Sequence, residues 1–427
     1  MLRTDGAFLT LSPEKGAPSV FLFQETAMSE AAANNAAPAT VRASLATPVL
    51  IGLIGFLTLV DLFATQAILP TLAKDYGVSA AAMGFAVNAS TMGMAASGLV
   101  MVFLGRRLNR RTGVWLSLAL LSIPTALLAL APDLSAFTAL RVVQGLFMAA
   151  AFSLTMAYLA ERCTAAASAT ALAAYVTGGV ASNLVGRLIA SSIVSSAGVD
   201  ANFYFFAGLN LAGATLAFVA LKRSQPMQSV AEAARSPLAI IGGHLKNACL
   251  RTCFVIGFLI LFAFIGTFTY VNFVLASEPI ALSPMALGLV YFVFLPSMLT
   301  TPVAGGIAAR YGARKSFFGS LGLALVGLPM LLSASLPVVL AGLAIVGVGT
   351  FFAQATATGF VGRAAKSDRA AASGMYLSSY YFGGLVGAAV VGQAFDRFGW
   401  PTAVAVIAAS LAVAALLAGM LKRSTAQ

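Results

Sequence analysis

Three ionisable side chains stand deep inside long apolar runs of this chain: Asp61, Arg141 and Arg187. A charge in hydrocarbon is costly, so each must face a partner, water or a cargo. Asp61 lies nine residues before the end of its run, which closes near residue 70, and Arg141 lies seven residues into a run that opens near residue 134. At about 1.5 Å of helical rise per residue the two stand at nearly equal depth, which makes them the natural ion pair of the first half of the chain. Burial favours the neutral carboxyl and a nearby guanidinium favours the ionised one, so modest motions that change either effect would load or release a proton. The chemistry this points to is proton coupling; a permanent salt bridge fastening two segments is the other reading. Arg187, close to Asn183, either meets an anionic substrate or lies solvated near the outer surface.

These residues need a membrane around them. The chain has 427 residues, of which 60% are hydrophobic and only 9% charged, and its mean hydropathy is +0.94. A soluble globule carries about a quarter charged residues, so the class is an integral membrane protein. Apolar runs of about twenty residues are too long for barrel strands and predict transmembrane helices, whose backbone bonds are satisfied internally. Twelve such runs are bounded by charge, Pro or Gly, near 49–70, 80–104, 112–131, 134–158, 166–194, 202–221, 253–276, 284–308, 316–335, 338–361, 371–393 and 401–421. The fold class expected is all-α and integral to the membrane, with a six-helix half over 49–221, a polar linker over 222–252 and a second six-helix half over 253–421. Residues 1–48 are Ala-rich and weakly polar, contain no apolar run long enough for a signal peptide, and are expected to be disordered; 422–427 is a short tail. Met28 reads like a second start.

The charges orient the chain. Of the 25 Lys and Arg, all but Lys74, Arg141, Arg187 and Arg397 fall in one alternate set of loops and the two termini, whereas Asp75, Asp133, Asp200, Glu278 and Asp396 populate the other set. By the positive-inside rule both termini are cytoplasmic. The net charge of +12 is thereby explained without nucleic acid. The densest basic cluster, Leu104 to Arg111, is echoed at Ile307 to Lys315, a short basic hinge repeated between apolar segments.

The remaining chemistry is narrow. Cys163, Cys249 and Cys253 fall on the expected cytoplasmic side, where thiols stay reduced. His244 is the only histidine, so no paired-histidine metal or haem site is available. No nucleophile stands with a base, which argues against an enzyme, and no phosphate-cradling glycine loop marks ATP as an energy source. No cofactor is expected beyond the proton as coupling ion. The partners expected are a small-molecule substrate and the lipid bilayer, the chain acting as a monomer.

A repeat is visible in residues as well as hydropathy. Tyr175-Val-Thr-Gly-Gly179 in the fifth run is matched by Tyr380-Tyr-Phe-Gly-Gly384 in the eleventh, each followed by further glycines at 186 and at 387 to 392. Small residues let helices approach closely. With this duplication the chain resembles the major facilitator superfamily, in its twelve-span branch of drug:proton antiporters and related efflux permeases. The resemblance covers about residues 48–422. The family's hinge between spans two and three is met by Leu104, Arg107, Arg110 and Arg111, while Val102, Arg106 and Asn109 replace the expected Gly, Asp and Gly. In the second copy Gly305, Arg310, Gly312 and Arg314 fit, and Ala309 stands where an acid is expected. The missing acid puts a cytoplasmic latch in doubt; anchoring of these arginines to anionic headgroups is the plainer role. Arg141-Val-Val-Gln-Gly145 is similar to the family's signature for span four. The fifth span keeps Gly178, Gly179 and Gly186 but lacks the proline expected of antiporters.

The resemblance implies a pseudo-symmetric two-half transporter of a bacterial inner membrane, working by alternating access about a midplane site. Asp61 and Arg141 would couple protons. Gln66, Asn88, Arg187, Phe268, Asn272, Tyr376 and Tyr380 would line the cavity, with Phe264, Tyr270, Tyr291 and Tyr381 nearby. Arg107, Arg110, Arg111, Gly178, Gly179, Arg310, Gly383 and Gly384 would serve hinges and gating. An aromatic cavity with few fixed charges suits lipophilic or amphipathic molecules better than sugars. The expected function is proton-coupled efflux of a drug or small metabolite, with proton-driven import of a small organic solute as the alternative.

Overall fold

The computed structural model describes residues 46–104, 108–162, 165–222, 236–365 and 367–421. Among these residues the structure consists of helices and connections, with no strand. The expected segment 1–48 falls outside the described residues up to residue 45, as do Cys163 and the tail 422–427.

The chain rises through α1 (Ala46–Ala67) and the short α2 (Leu69–Asp75), where Pro70 occupies the first turn because its missing N–H is not needed there. It returns through α3 (Ala80–Asn88), capped by the Ser79 hydroxyl, and α4 (Ser90–Leu104). A break at Ala89 separates these two. Next come α5 (Arg110–Leu127), capped by Asn109, and α6 (Leu134–Arg162). The fifth and sixth runs form one long element, α7 (Ala165–Ala220), reversed at Gly198 with φ 89° and ψ 176°. Only glycine takes that backbone without strain.

The linker expected over 222–252 is partly helical. Ser236 caps α8 (Pro237–Lys246), and Asn247 caps α9 (Ala248–Ala276), which therefore starts five residues before its apolar run. Both starts follow from capping chemistry rather than hydropathy. The eighth run is divided into α10 (Pro284–Val290), a 3₁₀ turn over Tyr291–Phe294 and α11 (Leu295–Tyr311). Pro296 cannot donate to the turn before it, which accounts for the division. The chain ends with α12 (Ala313–Gly327), α13 (Leu336–Ala364), α14 (Arg369–Phe398) and α15 (Trp400–Met420).

Nine helical stretches among the described residues are long and apolar enough to cross a bilayer. The twelve expected runs are recovered once three features are read physically. The α7 stretch holds two crossings, the second run is halved at Ala89, and α14 is 30 residues long but rich in Gly, Ser and Tyr. Leu299, Val326, Leu416 and Met420 are exposed on the outside of the bundle. An apolar surface of this kind suits lipid rather than water.

Two corresponding helix crossings hold the bundle together. In the first, α1 crosses α7: a Cβ on Gly178 would fall inside the Gly52 carbonyl, and one on Gly55 inside the Tyr175 carbonyl. In the second, α9 crosses α14, where Gly383 abuts the Phe258 backbone and Gly387 that of Phe262. Residues before 222 meet those after 248 along two seams, α3 and α4 against α14, and α7 against α10 and its following turn. We call the end bearing Asp75, Asp133, Asp200, Glu278 and Asp396 the acidic end, and the opposite end, with Arg110, Arg111, Arg310 and Arg314, the basic end.

Candidate functional site

Two buried polar centres lie within the bundle, each built around one of the intramembrane arginines. The first surrounds Asp61 and Arg141, 3% and 0% exposed. Arg141 on α6 donates through Nε to the Val87 carbonyl at 2.9 Å, through Nη2 to Ser90 Oγ at 3.1 Å and through Nη1 to Gln144 Oε1 at 2.7 Å. Val87 and Ser90 flank the α3/α4 break, where backbone carbonyls are released from the helical ladder and can accept from a side chain. Nη1 also reaches the Asp61 main-chain carbonyl at 3.4 Å.

The expected ion pair is therefore corrected. The guanidinium touches the backbone of Asp61, while the carboxylate turns to other partners. Its Oδ2 accepts from Thr125 Oγ1 at 2.9 Å and from Asn210 Nδ2 at 2.7 Å, and its Oδ1 has no hydrogen-bond partner. Equal depth brought the two residues together, but the azimuth of Asp61 on α1 aims its side chain at α5 and α7. A relay joins them nonetheless, since Gln144 Nε2 donates to Thr125 Oγ1 at 2.7 Å. Thr125 and Asn210 were missed in the sequence; their signal was a polar residue at matching depth in the third and sixth runs.

The second centre crosses between the two seams. Arg187 is fully buried, not solvated at a surface. Its Nε donates to Asn183 Oδ1 at 3.0 Å and its Nη2 to Gln66 Oε1 at 2.5 Å. Gln66 Nε2 donates to Asn88 Oδ1 at 2.7 Å, and Asn88 Nδ2 reaches across to Thr269 Oγ1 at 3.0 Å. Asn272 Nδ2 donates to the Gln66 carbonyl at 3.3 Å, and the Tyr291 hydroxyl to Asn272 Oδ1 at 2.7 Å. The guanidinium carbon sits 3.8 Å from the Tyr291 ring centroid, a distance at which the ring face attracts a cation. Gln66, Asn88, Arg187 and Asn272 are thus brought into one network, which also recruits Thr269, absent from the sequence reading. Phe268 packs beside it, 4.7 Å from the Phe294 ring.

Tyr376 and Tyr380 stand apart from this network. They stack on each other at 6.1 Å, and the Tyr376 hydroxyl donates to Gln354 Oε1 at 2.5 Å. The expected hinge glycines are packing positions inside the two helix crossings: Gly178 and Gly383 lie against backbone, Gly179 against Leu59 and Gly384 against Leu261. Arg111 donates through Nη2 to the Phe218 carbonyl at 2.5 Å and covers the Phe218 ring, fastening α5 to the end of α7 rather than to the other half. Arg310 lies over the Tyr311 ring, and Arg110 opens the first turn of α5. Arg107 falls outside the described residues.

The acidic end is closed in this conformer. The Ala81 backbone N–H lies 3.2 Å from Asp396 Oδ2, joining α3 to α14. Tyr270 fills the same seam between Gly84 and Gly392, and Gly288 of α10 meets Ser191 of α7. Also at this end, burial and then the carboxylates of Asp200, Asp133 and Asp75 push the Tyr76 phenol upward.

The model of the Major Facilitator Superfamily matches residues 51–294 and again 268–426. The chain is 26% identical over 375 residues to YybF of Bacillus subtilis, an uncharacterized MFS-type transporter, covering 87% of this chain and 92% of that protein. It is 27% identical to the inner membrane transport protein YnfM of Escherichia coli, covering 86% and 88%. Among solved structures, a bacterial homologue of the human lysosomal transporter Spinster, inward-facing and occupied, superposes with a TM-score of 0.71 at 14% identity, over 88% of this chain and 96% of that one.

Proposed function

The chain belongs to the Major Facilitator Superfamily and is a multi-pass secondary transporter, and from that premise we propose that it moves an amphipathic small molecule by alternating access coupled to a proton on Asp61. The direction proposed is efflux across a bacterial inner membrane, with the basic end and both termini cytoplasmic and the two halves, 49–221 and 253–421, rocking about the seams. The drug:proton antiporter likeness of the sequence supports this direction, and the positive-inside pattern supports the orientation of the two ends.

The observation that carries the coupling is the bonding of Asp61. A carboxylate locked in a salt bridge would stay ionised, but this one has two neutral donors and a free Oδ1. It can therefore hold either protonation state without breaking an ion pair. Thr125 has a single hydroxyl hydrogen and two acceptors within reach, Asp61 Oδ2 at 2.9 Å and the Leu121 carbonyl at 2.8 Å. An ionised carboxylate draws that hydrogen; a protonated one releases it to Leu121. The change passes through Gln144 to Arg141, and Arg141 grips the α3/α4 break beside Asn88, which binds both Gln66 and the opposite half. The break is the two-state element that proton and cargo both bias.

Purified protein in liposomes with a pH-sensitive dye inside tests this against a panel of amphipathic solutes. Substrate-driven proton movement in the wild type, lost in Asp61→Asn while solute counterflow persists, is the expected result. Undiminished proton movement in Asp61→Asn would remove Asp61 from the mechanism, and inward flux of solute along with protons would reverse the direction.

A further inference from the structure

Arg187 is a buried cation whose charge nothing in its surroundings cancels. Its contacts are Asn183 Oδ1, Gln66 Oε1 and the Tyr291 ring, all neutral, and its Nη1 has no hydrogen-bond acceptor. Among the described residues Asp61 is the only buried acid, and it is engaged with Thr125 and Asn210. Before the reversal at Gly198, two further donors on the same helix are also without partners, Asn183 Nδ2 and Ser191 Oγ. Positions 183, 187 and 191 are successive turns of one face of α7, so three unsatisfied donors line up along it. A native bundle pairs such groups, and a cluster of exceptions at one place calls for a missing acceptor.

We infer that Arg187 anchors the acidic group of the cargo, which is an organic monoanion with an apolar body. The inference rests on the transporter reading above and names the chemistry of its substrate. A guanidinium presents paired donors that fit a carboxylate or a phosphate, and burial strengthens the bond. Gln66 holds one of those donors in the present conformer and yields it to the anion. The apolar body follows from the wall beside the site. Phe63 and Phe294 lie 5.6 Å and 5.8 Å from the guanidinium carbon, and Phe294 continues into Phe264, Phe268 and Phe351 with ring centroids 4.7 to 5.9 Å apart. Phe264 and Phe294 each lie about one turn toward the basic end from Phe268 and Tyr291, so the aromatic wall leads from that end up to the arginine. A lipophilic cation would be repelled at its head, and a sugar would find too few partners along the wall.

The test uses 2-naphthoate, whose fluorescence reports binding, on the full chain in detergent with no gradient present. Its neutral isostere, 2-naphthylmethanol, and tetraphenylphosphonium serve as competitors. The wild type is expected to prefer the anion over the neutral isostere by about tenfold or more, as a charge-assisted bidentate contact requires. Arg187→Gln should erase that preference and Arg187→Lys should keep part of it. If Arg187→Gln fails to fold, the Arg187→Lys comparison and the wild-type preference decide the matter. Equal binding of the neutral isostere, no binding of the anion, or anion binding unchanged in Arg187→Gln would each overturn the assignment. Arg187-dependent binding without proton-linked flux would instead refute the coupling proposal, whereas proton-linked flux of a cation indifferent to Arg187 would refute this one alone.

Discussion

Thr269→Val is the cleanest perturbation of the closed acidic end. Valine keeps the shape of threonine and removes only the hydroxyl. In the closed conformer that hydroxyl accepts from Asn88 Nδ2 at 3.0 Å, bridging α3 of one half to α9 of the other. The other Asn88 amide hydrogen is taken by the Gly84 carbonyl at 2.8 Å, so the substitution strands one buried N–H. When the acidic end opens, Asn88 faces water and the loss disappears. The closed state is thus penalised by the cost of an unsatisfied buried donor, about 1–3 kcal/mol, and the open state by nothing. That difference moves the equilibrium toward opening roughly 5- to 150-fold. Spin labels at Lys74→Cys and Arg397→Cys, both exposed at the acidic end on opposite halves, would read it by pulsed distance measurement in a background with the three native cysteines replaced by serine. A new population at longer distance is expected. A distribution identical to that of the parent would show that Asn88 and Thr269 stay bonded in both states, and the placing of this network in the gate would fall.

Two further perturbations probe the packing and the relay. Gly178→Ala drives a methyl into the Gly52 carbonyl and should cost about 1–3 kcal/mol or more, whereas Gly208→Ala, which meets nothing within 4 Å, should stabilise its helix by about 0.5–1 kcal/mol; thermal unfolding in detergent separates the two signs. Gln144→Leu removes the nearer acceptor of Arg141 Nη1 and the nearer donor to Thr125, and should lower stability by about 2–3 kcal/mol while uncoupling proton movement from solute counterflow.

What could be read before folding was depth along the membrane normal. Run lengths, the alternation of basic and acidic loops, and the paired glycine segments at 175–179 and 380–384 follow from hydropathy and small-residue packing, which are local properties of the chain. Helix starts hidden from hydropathy, such as Ser236 and Asn247, were also legible through capping chemistry, within a segment whose charge marks it as a linker. Azimuth was not legible. Asp61 and Arg141 stand at one level, yet the carboxylate faces Thr125 and Asn210 and the guanidinium faces the break at Ala89. Arg187 was equally compatible with a wet surface and a buried site until the turn after α10 placed Tyr291 over it.

The order of residues is enough to establish that this chain crosses a membrane many times, which ends carry positive charge, and which few polar residues lie at depth. Which of those residues meet is settled in the folded bundle. Depth is written in residue counts along each helix, but the face a side chain presents depends on how helices rotate and cross. That rotation is settled by contacts between residues far apart in the chain, such as Gly52 with Gly178, Asn88 with Thr269 and Arg187 with Tyr291.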